Sequence, residues 1–471
     1  MYSIFDAGTR ARFDLEEVEI IHLNGKPVAI CPDTGGWAVL EAPELYSMFL
    51  PHLSQERGEE LYRRGLARKN GASVYLPPHP STLKGLRLFE FHMTDGCNLR
   101  CDYCNVNART LDQATRPTPE VAERLIDRIV EYCQNHALFQ ATVEFSGGEP
   151  CTCFDIIEHT CLYASRKLKE VRFPRKLSFR MQTNLAIPWK EEWLRCIKEF
   201  RIGLGVSIDG PKECHDRHRK LPNGQGSWDL VMENLLRLKA EGMVSGAICV
   251  ITPETVSEMS TIAKFFLDLG LNAFVLSPLL LAGRASSQMQ ALDPGRYVQG
   301  LFQVFDEVLI PSYEMTGEIP LEREIGLAFL NFIQPARYFM CWRTPCGAGT
   351  NMCAVTSSGD VFPCGLWVNE PEFRMGNIEL HSFDELIECQ VASTLRERVI
   401  QSVQGCSRCL YRAWCQSRCP FSAYVQHRDI FKPSGYCAIM IELFSEMLGR
   451  AASSKLNEQA VRALAQKASF L

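Results

Sequence analysis

The 471-residue chain has no apolar run of the roughly 18 residues that a membrane-spanning helix requires. Its formal net charge is −5, so it also lacks the basic excess that is typical of nucleic-acid-binding domains. Its first residues have neither the charged start nor the apolar core of a secretory signal. No internal repeat stands out. We therefore expect a globular, cytoplasmic protein with no nucleic-acid partner and no membrane partner.

Cysteine, in contrast, is abundant, with 21 residues in the chain. The cytosol is reducing, so a disulfide framework is not expected there. Ligation of a metal or cluster is the better explanation for so many thiols, and their spacing indicates which of them take part. Two sets stand out, one near residue 100 and the other beyond residue 340.

The middle of the chain alternates between strand and helix patterns from about residue 86 to residue 309. Six strand patterns separated by helices predict a parallel sheet with right-handed crossovers. Six units are too few for a closed eight-fold barrel, so the predicted fold is an α/β partial (β/α)6 barrel. Its functional sites are expected at the C-terminal ends of the strands.

The segment before the barrel predicts a small unit of its own. Three short strands are expected around turns at 24–25 and 33–36, followed by helices at 42–53 and 54–71. A proline-containing linker at 76–85 leads into the barrel. Beyond about residue 334, cysteine, glycine and proline interrupt every regular pattern, and a helical tail is expected at the end of the chain.

Cys97, Cys101 and Cys104 form a CxxxCxxC loop directly after the first barrel strand. Three thiolates on one short loop can hold three irons of a 4Fe–4S cube and leave the fourth iron open. The open iron suits chelation by the amino and carboxylate groups of S-adenosylmethionine. A zinc site or chance spacing is the alternative, although structural zinc normally takes four protein ligands.

This loop and its context resemble the radical S-adenosylmethionine superfamily over about residues 86 to 440. The chain has SGGEP at the end of the second strand, MQTN at the end of the third and VSIDGP at the end of the fourth, followed by HDRHR. The resemblance implies a 5′-deoxyadenosyl radical that abstracts a hydrogen atom from the substrate. It also implies that S-adenosylmethionine is bound by Tyr103, Gly147, Gly148, Glu149, Asn184, Ser207, Asp209 and Arg219.

Seven cysteines in the C-terminal region resemble the SPASM extension of such enzymes, which houses two auxiliary 4Fe–4S clusters. The resemblance assigns Cys406, Cys409, Cys415 and Cys437 to the distal cluster. It assigns Cys346, Cys364 and Cys419 to the nearer one. For the fourth ligand, Cys341 is the first candidate and Cys353 the second, and an open iron is the third alternative. A zinc ribbon is the competing interpretation of 406–419.

The predicted domains are a winged, peptide-recognition-like unit at 1–82, the barrel at 83–335, the SPASM domain at 336–450 and a helical tail at 451–471. The resemblance implies a peptide maturase that forms a carbon–carbon or thioether crosslink in a ribosomally made precursor. The precursor's leader would bind the N-terminal unit. The alternative is that this unit is an inert cap. A reductase, flavodoxin or ferredoxin would supply electrons. The sequence assigns no catalytic residue beyond the ligands.

Two other functions stay open. Anaerobic sulfatase maturases, which oxidise Ser or Cys to formylglycine, resemble the chain through VSIDGPKECHDRHR. They place an Asp base after the cysteine that corresponds to Cys364, whereas this chain has Gly365. An iron–sulfur electron carrier or scaffold is the alternative from another class. It would not need the strand-end motifs for S-adenosylmethionine.

Overall fold

The computed structural model describes residues 12–40, 55–73, 85–333 and 339–470. Across these ranges, every helix falls short of the length and apolar character that crossing a bilayer requires. The expected helix at 42–53 and most of the linker at 76–85 lie outside the described residues.

The described part of the N-terminal unit consists of two small antiparallel sheets and one helix. Its elements are β1 (Phe13–Leu15), β2 (Glu19–Leu23), β3 (Lys26–Ile30), β4 (Trp37–Val39), α1 (Gln55–Arg63), β5 (Ala67–Lys69) and β6 (Ala72–Ser73). The strand orders are β1-β5-β6 and β2-β3-β4. The expectation of a helix over 54–71 was wrong beyond Arg63. Asn70 and Gly71 have positive φ and turn a hairpin there instead. The winged-helix assignment stays a prediction.

Parallel strands form the centre of the molecule and confirm the partial barrel. They are β7 (Leu88–His92), β8 (Gln140–Ser146), β9 (Lys176–Thr183), β10 (Gly203–Ser207), β11 (Val244–Ile251) and β12 (Ala273–Pro278). Each strand lies beside its neighbour in sequence, with Glu90 of β7 directly opposite Glu144 of β8. The C-terminal ends of these strands therefore meet along one edge of the sheet.

The sheet continues beyond the six predicted strands. The additional strands are β13 (Leu321–Glu322), β14 (Met352–Thr356), β15 (Asp360–Phe362) and β16 (Gly376–Asn377). β13 extends the sheet beyond β12, while β14 pairs in parallel with β7. β15 and β16 follow β14 in antiparallel pairing. The barrel and the cysteine-rich region thus share one ten-stranded sheet.

Helices pack against the barrel strands through apolar faces. The first begins at Pro119, where the Thr118 hydroxyl accepts a hydrogen bond from the Val121 amide and caps the helix. Its buried face includes Leu125 and Ile129. The barrel-region helices are α2 (Pro119–Asn135), α3 (Phe154–Leu168), α4 (Glu191–Phe200), α5 (Lys212–His218), α6 (Trp228–Ala240), α7 (Met259–Asp268), α8 (Ala285–Gln288), α9 (Pro294–Val304), α10 (Ile310–Thr316) and α11 (Arg323–Ile333).

The C-terminal helices join the N-terminal unit to the barrel. They are α12 (Phe383–Ile387), α13 (Gln390–Glu397), α14 (Arg412–Cys415), α15 (Pro420–His427), α16 (Cys437–Ala452) and α17 (Glu458–Ala468). The indole of Trp414 donates to the Gly35 carbonyl at 2.9 Å. Trp37 stacks on Phe332 of α11 with ring centroids 4.8 Å apart. The β2-β3-β4 sheet is therefore held against the cysteine-rich region and α11.

Candidate functional site

A cavity of about 420 Å³ opens at the C-terminal ends of the barrel strands. The three cysteines of the CxxxCxxC loop lie in its wall. All but one of the predicted S-adenosylmethionine residues also line it, namely Tyr103, Gly147, Gly148, Glu149, Asn184, Ser207 and Arg219. Residues from several strand ends thus meet in one cavity, as parallel strands require.

Gly147 and Gly148 allow two loops to touch. Gly147 has a φ of +117°, and a Cβ on Gly148 would lie 1.9 Å from the Gly96 carbonyl oxygen. The Gly148 amide donates to the Thr94 carbonyl at 2.8 Å. Close contact with the loop before Cys97 therefore requires glycine here. The cradle that these loops form fits a ligand beside the cluster.

Glu149 is buried, and its carboxylate ties neighbouring strand ends together. It accepts hydrogen bonds from the Asn184 amide at 2.8 Å and from the Thr183 hydroxyl at 2.7 Å. Burial raises its pKa, and these donors counteract that rise. Its contact with the amino group of S-adenosylmethionine stays a prediction.

Asn184 connects this network to the first cysteine, because its side-chain amide lies 3.5 Å from Cys97 Sγ. Burial, with the charge of Glu149 next in importance, raises the pKa of the Cys97 thiol to about 12. A thiol with such a raised pKa loses its proton readily only when a metal replaces it. The raised pKa does not by itself mark a ligand, because buried Cys133 and Cys196 show the same rise. The feature that suits a cluster is the presence of three thiols in the wall of one cavity.

Asp209 lies behind the cavity wall as the partner of Arg219. Arg219 Nε and Nη2 donate to its two oxygens at 2.9 and 3.2 Å, and Tyr103 donates to it as well. Burial alone would raise the pKa of Asp209, but the charges of Arg219 and His215 and the hydrogen bonds from Arg219 and Tyr103 together lower it. In this structure, the carboxylate beside Arg219 therefore belongs to Asp209. The pairing of Arg219 with the carboxylate of S-adenosylmethionine stays a prediction.

A second cavity, of about 370 Å³, is lined by four cysteines of the C-terminal region: Cys341, Cys346, Cys364 and Cys419. Cys341 is exposed to solvent, and its thiol lies near those of Cys346 and Cys419. Cys353 is buried on β14 and is not part of this lining. Of the two candidates for a fourth ligand, the structure places Cys341 with the other three.

The four cysteines of the predicted distal site also lie near one another. Burial, with the thiols of Cys437 and Cys409 next, raises the pKa of Cys406 to about 11. The thiols of Cys409, Cys437 and Cys406 likewise influence Cys415. In the described parts of the chain, no three His, Cys, Asp or Glu side chains converge on a single-ion position. A 4Fe–4S cube does not need such convergence, because each thiolate binds a different iron.

Sequence reasoning missed two carboxylates in the second cavity. Glu90 and Glu144 lie side by side on β7 and β8 and both line it. Glu90 accepts a hydrogen bond from the Gly365 amide at 2.7 Å. Burial, with repulsion by Glu144 second, raises the pKa of Glu90 to about 8. The sequence does contain one sign of this pair: Glu90 and Glu144 lie on two adjacent predicted strands, and each strand leads into a predicted ligand motif.

Two family models match the chain. Residues 91–266 match the radical SAM superfamily, and residues 346–410 match SPASM, an iron–sulfur cluster-binding domain. A cysteine-type anaerobic sulfatase-maturating enzyme of Clostridium novyi is 25% identical over 346 residues, which are 72% of this chain and 88% of the relative.

Two solved structures share the fold. The structure described as native anSMEcpe with bound AdoMet has a TM-score of 0.67 at 22% identity. It covers 79% of this chain and 99% of its own. Streptococcus suis SuiB bound to precursor peptide SuiA has a TM-score of 0.55 at 13% identity. It covers 91% of this chain and 98% of its own.

Proposed function

Because the chain belongs to the radical S-adenosylmethionine superfamily and carries a SPASM domain, we propose that it modifies a ribosomally made precursor peptide by forming an intramolecular crosslink. The chain is an enzyme of oxidoreductase-type radical chemistry that uses S-adenosylmethionine and 4Fe–4S clusters. When bound, S-adenosylmethionine supplies the hydrogen-abstracting radical. The residues described above bind it, orient it and shield it from water.

The observation that carries this proposal is the wall shared by the two cavities. Asn105, Val106, Ser146, Gly147 and Gln182 line both of them. A peptide side chain at this wall would face the radical source on one side and the nearer auxiliary site on the other. Such a position supports a two-electron oxidation of the substrate, in which a hydrogen atom leaves first and an electron and a proton follow.

Ser146 supports the same placement of the substrate. Its hydroxyl is buried and has no hydrogen-bond partner, although it lies between the two cavities. A buried polar group without a partner costs free energy unless a ligand or water completes it. A peptide backbone or cofactor atom at the shared wall would supply the missing partner.

A groove beside the N-terminal unit supports binding of a leader peptide. This cavity of about 690 Å³ lies along β4, the terminal strand of its sheet, and contains Trp37 and Phe332. Arg63, Arg64 and Arg462 also line it. Among the described residues, no strand pairs with the outer edge of β4, and an extended peptide can add to such an edge. Glu458 also lines the groove, and Arg63 and Arg64 are paired with Glu59 and Glu60, so the groove carries mixed charge.

Among the solved structures, coverage favours a precursor peptide, whereas TM-score and identity are higher for anSMEcpe. SuiB bound to its precursor peptide covers 91% of this chain, whereas anSMEcpe covers 79%. More residues of the chain therefore lack a counterpart in anSMEcpe than in SuiB. An external reductase, flavodoxin or ferredoxin is the proposed electron donor.

Oxidation of Ser or Cys to formylglycine is the second candidate, and Glu90 favours it. A Cβ on Gly365 would lie 2.3 Å from Glu90 Oε2, so the Glu90 carboxylate occupies the space beside this glycine. A sulfatase maturase has an Asp at the position of Gly365. In this chain, Glu90 would receive the substrate proton in its place once it is itself deprotonated, which its raised pKa of about 8 favours only at alkaline pH.

Mass spectrometry separates the two functions. Reduced enzyme with S-adenosylmethionine would be incubated with short peptides encoded beside its gene and with sulfatase peptides that carry the target Ser or Cys. We expect a precursor to lose two hydrogens and to resist fragmentation between two linked residues. A hydrazide-reactive aldehyde on a sulfatase peptide would favour the second candidate. Deoxyadenosine formation without any peptide product would contradict both.

A further inference from the structure

Three arginines are buried among the cysteines of the two auxiliary sites. Arg343, Arg398 and Arg418 are only 6%, 1% and 7% exposed. Arg343 lies between Cys341 and Cys346 in the chain, and Arg418 lies between Cys415 and Cys419. Arginine stays protonated in proteins, so each contributes a fixed positive charge.

Arg398 lies between the two auxiliary sites. Its charge acts on Cys346 and Cys419 of the nearer site and on Cys406 and Cys415 of the distal one. All its side-chain hydrogen bonds go to uncharged oxygens, which are the Ser417 hydroxyl and the carbonyls of Ser417, Arg418, Ile430 and Lys432. Within the described ranges, no carboxylate forms an ion pair with it.

Arg343 and Arg418 have buried N–H groups without partners. These groups are Nε of Arg343 and both Nε and Nη1 of Arg418. Arg418 packs on the Trp342 ring at 3.8 Å and donates to Glu324 at 3.0 Å through Nη2 alone. The charge of Arg343 acts on Cys346 and Cys341. Arg418 already has one shielded carboxylate partner, Glu324, whereas Arg343 and Arg398 have none among the described residues. Burying a cation without full pairing is costly, so Arg343 and Arg398 require negative charge nearby.

We propose that these three arginines are the counter-charges of the auxiliary 4Fe–4S clusters and raise their reduction potentials. A four-thiolate cluster is anionic and gains a further negative charge on reduction. A fixed guanidinium and its N–H groups stabilise the reduced form more than the oxidised form. The electron that a substrate radical gives up as it is oxidised is then accepted by an auxiliary cluster, while the substrate proton passes to a base or solvent.

The three guanidiniums also differ in how they hold the protein together. Gln416, Ser417 and Arg418 are three successive left-handed residues between ligands of the two sites. Left-handed backbone is disfavoured for residues other than glycine, and Arg398 bonds to the carbonyls of the last two. Arg398 therefore supports the loop as well as the charge balance. Variants of Arg343 and Arg418 therefore test the electrostatic role separately from this structural one.

The test is a redox titration monitored by electron paramagnetic resonance. It uses the full chain with Cys97, Cys101 and Cys104 changed to Ala, so that only the auxiliary clusters give signals. Arg343→Gln, Arg398→Gln and Arg418→Gln should each lower the reduction equilibrium constant at least tenfold, about 59 mV for a one-electron couple. The corresponding Lys variants should recover most of the shift. Arg450→Gln, which removes a charge paired with Asp306 and Glu446, should leave the midpoints unchanged.

Iron analysis accompanies each titration. Unchanged midpoints in Arg343→Gln and Arg418→Gln at full iron content would overturn the proposal. If Arg398→Gln and Arg398→Lys both lose iron, Arg398 acts through the loop, and the other two arginines decide the electrostatic claim. Lys variants that shift as far as the Gln variants would also contradict it, since charge would then not be the cause.

Discussion

At the scale of single residues, burial and charge decide which side chains take part in each site. Cys341 and Cys353 are both thiols near the nearer auxiliary site, yet only Cys341 lies in its wall. Glu90 and Asp209 are both shielded carboxylates. Arg219 keeps the pKa of Asp209 low, whereas Glu90 has a second carboxylate beside it and a raised pKa. The same residue type therefore has different chemistry according to its neighbour.

Replacing Cys341 by Ala should remove the fourth thiolate of the nearer auxiliary cluster. We expect this variant to lose the cluster or to change its spectrum, and the iron content to fall by up to roughly one third if one of three cubes is lost. Cys353→Ala is the matched control and should keep the full content. Iron analysis with Mössbauer spectroscopy measures both. The reverse result would make Cys353 the ligand.

Glu90 should make the stability of the protein fall as the pH rises. Its pKa, raised by burial and by Glu144, is about 8 rather than 4.5, so folding takes up a proton between these values. The stabilisation is complete below about pH 4.5 and is lost as the pH approaches 8. Glu90→Gln should therefore lose less stability than the parent between pH 5 and pH 8 in denaturant titrations. Exposed Glu314→Gln should follow the parent, and identical slopes for Glu90→Gln would contradict the prediction.

At the scale of secondary-structure elements, the single sheet explains how the radical site and the auxiliary site meet. β14 pairs with β7, which leads directly into the CxxxCxxC loop. The segment after β15 begins at Cys364, and its Gly365 amide binds Glu90 on β7. Because these contacts run between neighbouring strands of one sheet, the distance between the two cavities is fixed by strand pairing.

Gly365→Ala should disturb this junction. The added Cβ would lie 2.3 Å from Glu90 Oε2, so the Glu90 carboxylate must move. Overpacking of this kind costs about 1–3 kcal/mol, and peptide turnover should fall more than formation of deoxyadenosine without peptide. Gly449→Ala, whose Cβ would meet no atom within 4 Å, is the control and should leave both rates unchanged. Equal losses of the two rates would indicate a general folding defect instead.

At the scale of the whole molecule, the C-terminal helices contact both the N-terminal unit and the barrel and connect the two. α16 begins at Cys437, which is predicted to bind the distal cluster, and Asn24 donates to the Gly449 carbonyl near the end of this helix at 3.1 Å. α17 then packs on α11, whose Phe332 stacks on Trp37. The groove proposed for the leader therefore has walls from three separate parts of the chain.

Leu464→Ala should weaken the packing of α17 against α11. Leu464 is fully buried on α17 beside Gly326, and a buried Leu→Ala change typically costs about 2–5 kcal/mol. We expect a lower thermal unfolding midpoint with the iron content retained. Exposed Gln459→Ala on the same helix is the control and should keep the parent midpoint. Unchanged unfolding of Leu464→Ala would mean that α17 contributes little to stability.

The sequence alone determined the fold class, the first cluster loop and the strand-end motifs. Periodicity predicts parallel strands, and the C-terminal ends of such strands must share an edge, so local motifs could be assigned to one site. The cysteine spacings likewise predicted the SPASM domain, because ligand loops are short and their geometry is local. The helix expected at 54–71 failed beyond Arg63, where the turn at Asn70 and Gly71 outweighs helix propensity.

Tertiary structure alone decided the contacts between distant parts of the chain. Glu90 and Gly365 are 275 residues apart, and only the pairing of β14 with β7 brings them together. The grouping of Cys341 with Cys419 depends in the same way on packing of the C-terminal helices. Burial of Arg398 among four cysteines has no sequence signal, since arginine is normally exposed. The spacing of residues in the sequence determines which side chains share a loop, whereas tertiary packing determines which loops contact each other.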